Sequence, residues 1–167
     1  MDTDADRAAV ARQLGREPRA FGRVVVRCPF GLPAVTEQRP YAPDGEPFPT
    51  TYWLTCRHLV AAVSRLEAAG GVERWTERTA DDPALAASRA AADDEQRRLR
   101  RELAGGETGG DGGASLRLGV GGAARGAGSL KCLHAHAAFA LARPGYALGE
   151  AIVSEVEPLW PSSCCST

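Results

Sequence analysis

The stretch with the highest density of reactive side chains is KCLHAH, residues 131–136, which holds one cysteine and two histidines. Thiolate and imidazole groups bind transition metals, and they also act as nucleophile and base. We expect this stretch to lie just inside a helix that is capped by Ser129 and runs to about Arg143. Successive residues of a helix turn by about 100°, so Cys132 and His136 would share one face and His134 would point away. The spacing therefore predicts Cys132 and His136 as a pair.

Two further cysteines follow predicted strands, Cys28 after FGRVVVR and Cys56 after TTYWL. If the fold brings these strand ends to the start of the helix, Cys28, Cys56, Cys132 and His136 form a Cys3His set suited to zinc or iron. His134 would then either contact the ligand residues without binding the metal, or face a bound substrate. A closed set of four ligands would be structural, whereas an open position would permit a bound water and hydrolysis. We therefore predict a metal-binding domain with a Cys/His cluster.

A second interpretation of the same residues is a cysteine-dependent enzyme acting on a phosphorylated or acyl substrate. Cys132 would be the nucleophile, favoured as thiolate by the helix N-terminus, and His136 would be the base. The preceding glycine-rich stretch, with Arg125 and Lys131, offers N–H groups and charges for an anion. It matches neither GxxxxGK[ST] nor GxGxxG, so a flexible connection remains an alternative. Burial of free cysteines as small hydrophobic residues remains another.

Composition limits the remaining classes of function. The 167 residues carry 20 basic and 21 acidic side chains, a net charge of -1, which gives no strong signal for nucleic-acid binding. The sequence has no apolar run of about 18 residues for a membrane span, and its acidic start lacks the features of a signal peptide. We expect a cytoplasmic protein whose thiols stay reduced. Five cysteines, an odd number, do not indicate a disulfide framework.

Hydrophobic periodicity and turn residues predict an α+β fold, mostly helical, with a small sheet built from the N-terminal third. Thr55 and Asp82 are the expected caps of two of its helices. The domain should span residues 1–160, with a flexible glycine-rich loop at about 104–114 and a disordered tail at 161–167. The predicted helices are 4–14, 56–69, 83–103, 129–143 and 148–159, and the predicted strands are 21–27, 34–39 and 50–54.

Several segments together resemble a bacterial family known as domain of unknown function 501. They are QLGR (13–16), RCPFGLPAV (27–35), FPTTYWLTC (48–56), LVAAVSRLEAAG (59–70), GVGG (119–122), KCLHAH (131–136) and GEAI (149–152). The resemblance implies no established activity. Its motifs include the cysteines at Cys28, Cys56 and Cys132 and the histidines at His134 and His136. His58 falls outside that pattern, and we leave it out of the predicted site.

The resemblance also implies a biological neighbourhood. Members of the family occur in actinobacteria and some other bacteria, often encoded near a septum-formation initiator-type protein and an exopolyphosphatase-type phosphatase. This suggests partners in cell division or phosphate metabolism, although gene neighbourhood is association rather than mechanism. A third possible function is therefore a non-enzymatic interaction module linked to cell division. A large exposed apolar patch would favour that function.

Overall fold

Three antiparallel strands from the N-terminal third form the sheet, in the order β1-β2-β3. The computed structural model describes residues 3–122 and 128–165. Within these ranges the architecture is α+β and mostly helical, as predicted. The elements are α1 (Thr3–Leu14), β1 (Phe21–Arg27), β2 (Pro33–Gln38), β3 (Tyr52–Leu54), α2 (Arg57–Ala68), α3 (Gly71–Asp81), α4 (Pro83–Ala104), α5 (Leu133–Ala142) and α6 (Ala147–Val153), with two 3₁₀ turns at Gly109–Asp111 and Ala114–Arg117.

Helix α5 is the centre of the core, because it contacts α2, α6 and all three strands. Seven of its ten residues are buried, so it has no polar face. Phe139 on this helix makes edge-to-face contacts with Tyr52 at 5.5 Å and with Tyr146 at 5.6 Å between ring centroids. Across the described residues, no helix has both the length and the apolar character to cross a membrane. The core therefore fixes the position of α5, while Cys132 and His134 at its N-terminal end remain half-buried.

Helix α3 was not predicted, because Gly70 and Gly71 together indicate the end of a helix. Gly70 does end α2 in the left-handed conformation, with φ of 80°, and Gly71 begins the next helix directly. A Cβ atom at Gly71 would lie 2.5 Å from the carbonyl oxygen of Leu66, so only glycine fits this reversal. Helix α3 then buries Trp75 in the core. The reversal keeps α2 short and places its last turn beside α5.

The helix starts bear directly on the predicted site. Asp82 caps α4 as predicted, accepting hydrogen bonds from two backbone N–H groups at 2.9 and 3.4 Å. The predictions of Thr55 and Ser129 as caps are wrong. Helix α2 follows Cys56 and helix α5 follows Cys132, and neither cysteine makes a side-chain capping bond. Cys132 therefore lies outside the regular helix, with φ of -153° and ψ of 117°.

The glycine-rich segment after α4 carries the two 3₁₀ turns, and a buried arginine holds it to the domain. Arg100 donates from Nε to the carbonyl oxygen of Ser115 at 2.8 Å and from Nη2 to that of Phe48 at 2.7 Å. Gly110 N–H donates to the carbonyl oxygen of Gly45 at 2.9 Å. These bonds fix where the segment lies, while its flexibility stays a prediction.

Candidate functional site

The last turn of α2 and the start of α5 bring together a carboxylate, a thiol and an imidazole. The potential ligand atoms of Glu67, Cys132 and His134 all lie within 4.8 Å of one another. All three residues are half-buried. Within residues 3–122 and 128–165 this is the one group of three such side chains that approach so closely.

The ring of His134 is oriented by α2. Its Nε2 lies 3.2 Å from the carbonyl oxygen of Val60 and 3.2 Å from the hydroxyl oxygen of Ser64. A carbonyl oxygen can only accept, so Nε2 carries a proton and donates it to Val60. The other nitrogen, Nδ1, faces Glu67 at 3.1 Å from Oε1. Helix α2 therefore fixes which nitrogen of His134 faces the cluster.

Glu67 also caps α5 from the neighbouring helix. Its Oε1 accepts the N–H of Leu133, the first residue of α5, at 2.6 Å. A carboxylate at a helix N-terminus is stabilised by the helix dipole and satisfies an otherwise unpaired donor. The cap that Ser129 was predicted to supply is therefore provided by Glu67. Because Glu67 makes this bond, the side chain of Cys132 is not needed as a cap.

A tight turn presents the Cys132 thiol. The N–H of Cys132 donates to the carbonyl oxygen of Leu130 at 2.8 Å, which closes a three-residue turn across Lys131. Lys131 has φ of 66° and is the one non-glycine residue with positive φ among the described residues. Such γ-turns of positive φ are rare and strained, and strained backbone concentrates at functional sites. The turn lies immediately before Cys132, the residue that precedes α5.

Electrostatics favour a charged His134 when no metal is bound. The hydrogen bond with Cys132 is the largest effect on the pKa of His134 and raises it. Burial lowers the pKa, and the Glu67 carboxylate raises it again, so that the pKa is about 9. The protonated ring of His134 has the Glu67 carboxylate 3.1 Å from Nδ1 and the Cys132 thiol nearby. The carboxylate is an anion, and the thiol can become one. This arrangement can bind a cation in place of the proton, or it can activate the thiol.

The spacing of the three groups fits a small transition metal. Zinc bonds of about 2.0–2.3 Å put neighbouring ligand atoms of a tetrahedron roughly 3.3–3.7 Å apart. The Nδ1 to Oε1 distance of 3.1 Å is close to that range, and the sulfur lies within 4.8 Å of both atoms. Thiolate, imidazole and carboxylate are also the ligand types that zinc accepts.

The structure gives His136 a different place from the predicted one. His136 is fully buried; its Nε2 donates to the carbonyl oxygen of Leu130 at 3.1 Å, and its Nδ1 accepts from the hydroxyl of Tyr146 at 2.6 Å. Burial lowers the pKa of His136 to about 4, so the ring is neutral at physiological pH. Both nitrogens are used in core hydrogen bonds. His136 therefore lies outside the group formed by Glu67, Cys132 and His134, and Cys132 itself precedes the helix. A role for His136 with Cys132 stays a prediction.

The two strand-end cysteines do not join Cys132 either. Cys28 is buried in the core, and Cys56 has its sulfur 3.6 Å from that of Cys165. Neither belongs to the group of ligand atoms described above. The predicted set of Cys28, Cys56, Cys132 and His136 is therefore not assembled in this structure. Arg125, proposed for anion binding, lies outside the described residues.

Sequence reasoning missed Glu67 and Ser64. Val60, Ser64 and Glu67 are spaced i, i+4 and i+7, so they form one stripe along α2, and this stripe faces His134. Leu59, Val63 and Leu66 recur at helical spacing, which indicates the adjacent apolar face of α2 instead. Two polar residues beside the apolar ones, Ser64 and Glu67, were the available signal, but nothing in the sequence linked them to residues about 70 positions away.

Large exposed apolar side chains are few. Among the described residues they are Phe30, which is 42% exposed, and Leu103, which is 37% exposed. Isolated residues of this kind are normal for a protein surface. The interaction module linked to cell division therefore stays a prediction.

Comparison with known proteins gives one match. A family model described as "Protein of unknown function (DUF501)" matches residues 24–154, which confirms the resemblance stated above. The matched range contains Glu67, Cys132 and His134 and ends before Cys164 and Cys165. No curated protein and no solved structure matches the chain.

Proposed function

This chain belongs to the DUF501 family, whose description assigns no function, and we propose that its Glu67, Cys132 and His134 bind one divalent transition metal, zinc or ferrous iron. The orientation of His134 carries the proposal. Metal-bound histidines almost always donate their second N–H to a carbonyl or carboxylate, which fixes the ring and the tautomer. The Nε2–H of His134 donates to Val60 in this way, and Nδ1 is left facing the other two groups.

The ligand types favour zinc over harder cations. Magnesium and calcium prefer oxygen ligands only, whereas a thiolate and an imidazole select zinc, iron or copper. Three protein ligands leave a fourth tetrahedral position for water or a substrate atom, as in hydrolytic zinc sites. Bound zinc lowers the pKa of such a water to about 7. A hydrolytic activity at the α2–α5 junction is therefore part of the proposal.

Metal content of the untagged full-length chain, purified without chelator, tests the binding. We expect about one zinc or iron per wild-type chain and at least about a ten-fold loss in Cys132→Ser and His134→Ala. Matched controls are Cys164→Ser and His58→Ala, which change the same residue types outside the cluster and should retain the metal. Retention of metal by folded Cys132→Ser, or wild-type protein that stays empty after incubation with zinc, would contradict the proposal.

Cys28→Ser distinguishes the two possible ligand sets. Cys28 belongs to the set predicted from the sequence and not to the cluster at the α2–α5 junction. The variant should therefore keep its metal if it folds, which circular dichroism checks. Cobalt substitution gives a second readout, because thiolate ligation produces a near-ultraviolet charge-transfer band. That band should be absent in Cys132→Ser and present in Cys28→Ser.

The alternative function is thiol catalysis with the same residues. The specific observation for it is that the hydrogen bond with Cys132 is the largest cause of the raised pKa of His134, about 9, which favours a protonated imidazole beside the thiol. Cys132 would attack an acyl or phosphoryl centre, His134 would protonate the leaving group, and Glu67 would hold the imidazolium. In metal-free protein, alkylation of Cys132 near neutral pH should then be much faster than that of Cys164, and His134→Gln should remove the difference. Equal alkylation rates in wild-type protein would exclude this alternative.

A further inference from the structure

Two thiols outside the proposed metal site meet at the start of α2. The sulfur of Cys56, the residue that precedes this helix, lies 3.6 Å from the sulfur of Cys165, which is 109 positions further along the chain. Cys56 is buried, and Cys165 is half-buried and packs against the same core. Cys164 is the adjacent residue but does not make this contact. The two sulfurs are therefore in van der Waals contact and need to approach by only about 1.5 Å to reach the 2.05 Å of a disulfide bond.

Other contacts hold the C-terminal segment in this place. His58 donates from Nε2 to the carbonyl oxygen of Pro158 at 2.8 Å. Arg74 and Glu155 form two parallel hydrogen bonds of 2.7 Å each. Leu159 and Trp160 pack against the core. These contacts hold the residues that lead to Cys165 against α2, α3 and the core.

The two thiols have opposite electrostatic environments. Burial opposes ionisation of Cys165, but N–H groups of His58 and Arg57 in the first turn of α2, together with the Cys56 thiol, lower its pKa below the ordinary value. Burial raises the pKa of Cys56 to about 11. Only the thiolate is an effective nucleophile, so Cys165 should react first and Cys56 should remain a neighbouring thiol.

We propose that Cys56 and Cys165 form a reversible redox site, in which a hydroperoxide oxidises the Cys165 sulfur and Cys56 then closes a disulfide. The proposal goes beyond the metal site, since it uses none of Glu67, Cys132 and His134. Cys165 lies after the residues matched by the family model, so the proposal is made for this chain alone. The disulfide would link the C-terminal segment to the first turn of α2.

The chemistry balances in two steps. The Cys165 thiolate attacks the terminal oxygen of the hydroperoxide, the O–O bond breaks, and the leaving alkoxide or hydroxide takes up a proton. The product is a sulfenic acid at Cys165. The Cys56 sulfur then attacks the Cys165 sulfur, the S–OH bond breaks, and the hydroxide combines with the Cys56 proton to form water. In sum, two thiols lose two electrons and two protons, and the hydroperoxide is reduced to an alcohol, or to water when it is hydrogen peroxide.

Peptide mapping of the full-length, metal-free chain after treatment with hydrogen peroxide tests the site. Trypsin alone leaves Cys132 and Cys165 in one peptide, so a glutamate-specific protease is added to cut after Glu155. We expect a linked pair of peptides carrying Cys56 and Cys165, lighter by two hydrogen atoms than the separate peptides, which dithiothreitol restores. Cys164→Ser should leave the yield unchanged, and Cys165→Ser should lower it at least about ten-fold.

Cys164 and Cys165 are both half-buried, so neither variant replaces a fully buried core residue. Three results would overturn the proposal. They are a link between Cys164 and Cys165, a link to Cys56 that persists in Cys165→Ser, and sulfinic acid at Cys165 while Cys56 stays a free thiol. Cys132→Ser, which lacks the metal site, should form the Cys56–Cys165 link as well as the wild type does. Failure of the metal site and failure of the redox site are therefore separable.

Discussion

Removing one hydroxyl group tests whether His136 is a core residue. In Tyr146→Phe the Nδ1 of His136 loses the O–H that donates to it at 2.6 Å, and no water can replace that donor because His136 is fully buried. A buried acceptor left without a partner costs about 1–3 kcal/mol. For a chain of this size, each kcal/mol lowers the melting temperature by about 2–4 °C. We therefore expect melting to fall by about 2–12 °C.

Urea unfolding of the reduced protein measures this loss, and the midpoint should fall with no change in the slope. Tyr41→Phe is the matched control. The hydroxyl of Tyr41 donates to Asp111 at 3.1 Å, but that carboxylate keeps N–H groups of Gly113 and Ser115 as partners and should lose less stability. If Tyr146→Phe costs less than about 0.5 kcal/mol, or no more than the control, the assigned role of His136 is refuted. If Tyr146→Phe folds stably but loses bound metal, the result would support the sequence-based prediction that His136 acts with Cys132.

The remaining predictions concern packing, capping and metal. In Gly149→Ala the new Cβ would lie 2.7 Å from the Cβ of Ala140 and 2.7 Å from a backbone oxygen of α5, so we expect a loss of about 1–3 kcal/mol in urea unfolding. Asp82→Ala removes the cap of α4 and should cost about 1 kcal/mol in the same assay, whereas Asp82→Asn should cost much less. Zinc at 100 times its dissociation constant should stabilise wild-type protein by about 2.7 kcal/mol, or about 5–11 °C in a thermal melt, and should leave Cys132→Ser unchanged. An equal shift in both proteins would point to nonspecific binding.

Local signals in the sequence were enough for most of the elements. The β-branched run at 21–27 forms β1 with the predicted bounds, and Asp82 followed by Pro83 starts α4 where predicted. These features depend on neighbouring residues only. Helix α3 was missed because two glycines in succession usually end a helix, whereas here the second one permits a close reversal against Leu66. That distinction depends on packing, which periodicity does not contain.

The candidate site was found in part, for a comparable reason. The sequence identified the stretch that holds Cys132 and His134, but it paired Cys132 with His136 on the assumption that the helix had already begun. The structure begins α5 one residue after Cys132, at Leu133, and Cys132 keeps an extended backbone. An i,i+4 relation holds only when both residues are inside the helix. A small displacement of the helix start therefore changes the partner of Cys132 from His136 to His134.

Capping of α5 by Glu67 accounts for only part of the cluster. Capping α5 accounts for a carboxylate at this place, because the helix dipole and the N–H of Leu133 both favour one. Capping does not account for a thiol and an imidazole within 4.8 Å of the same carboxylate. Nor does it account for the positive φ of Lys131, which costs backbone energy to place Cys132 there. The proposed metal would contact all three groups and so would account for these features together, whereas the cap accounts for only one of them.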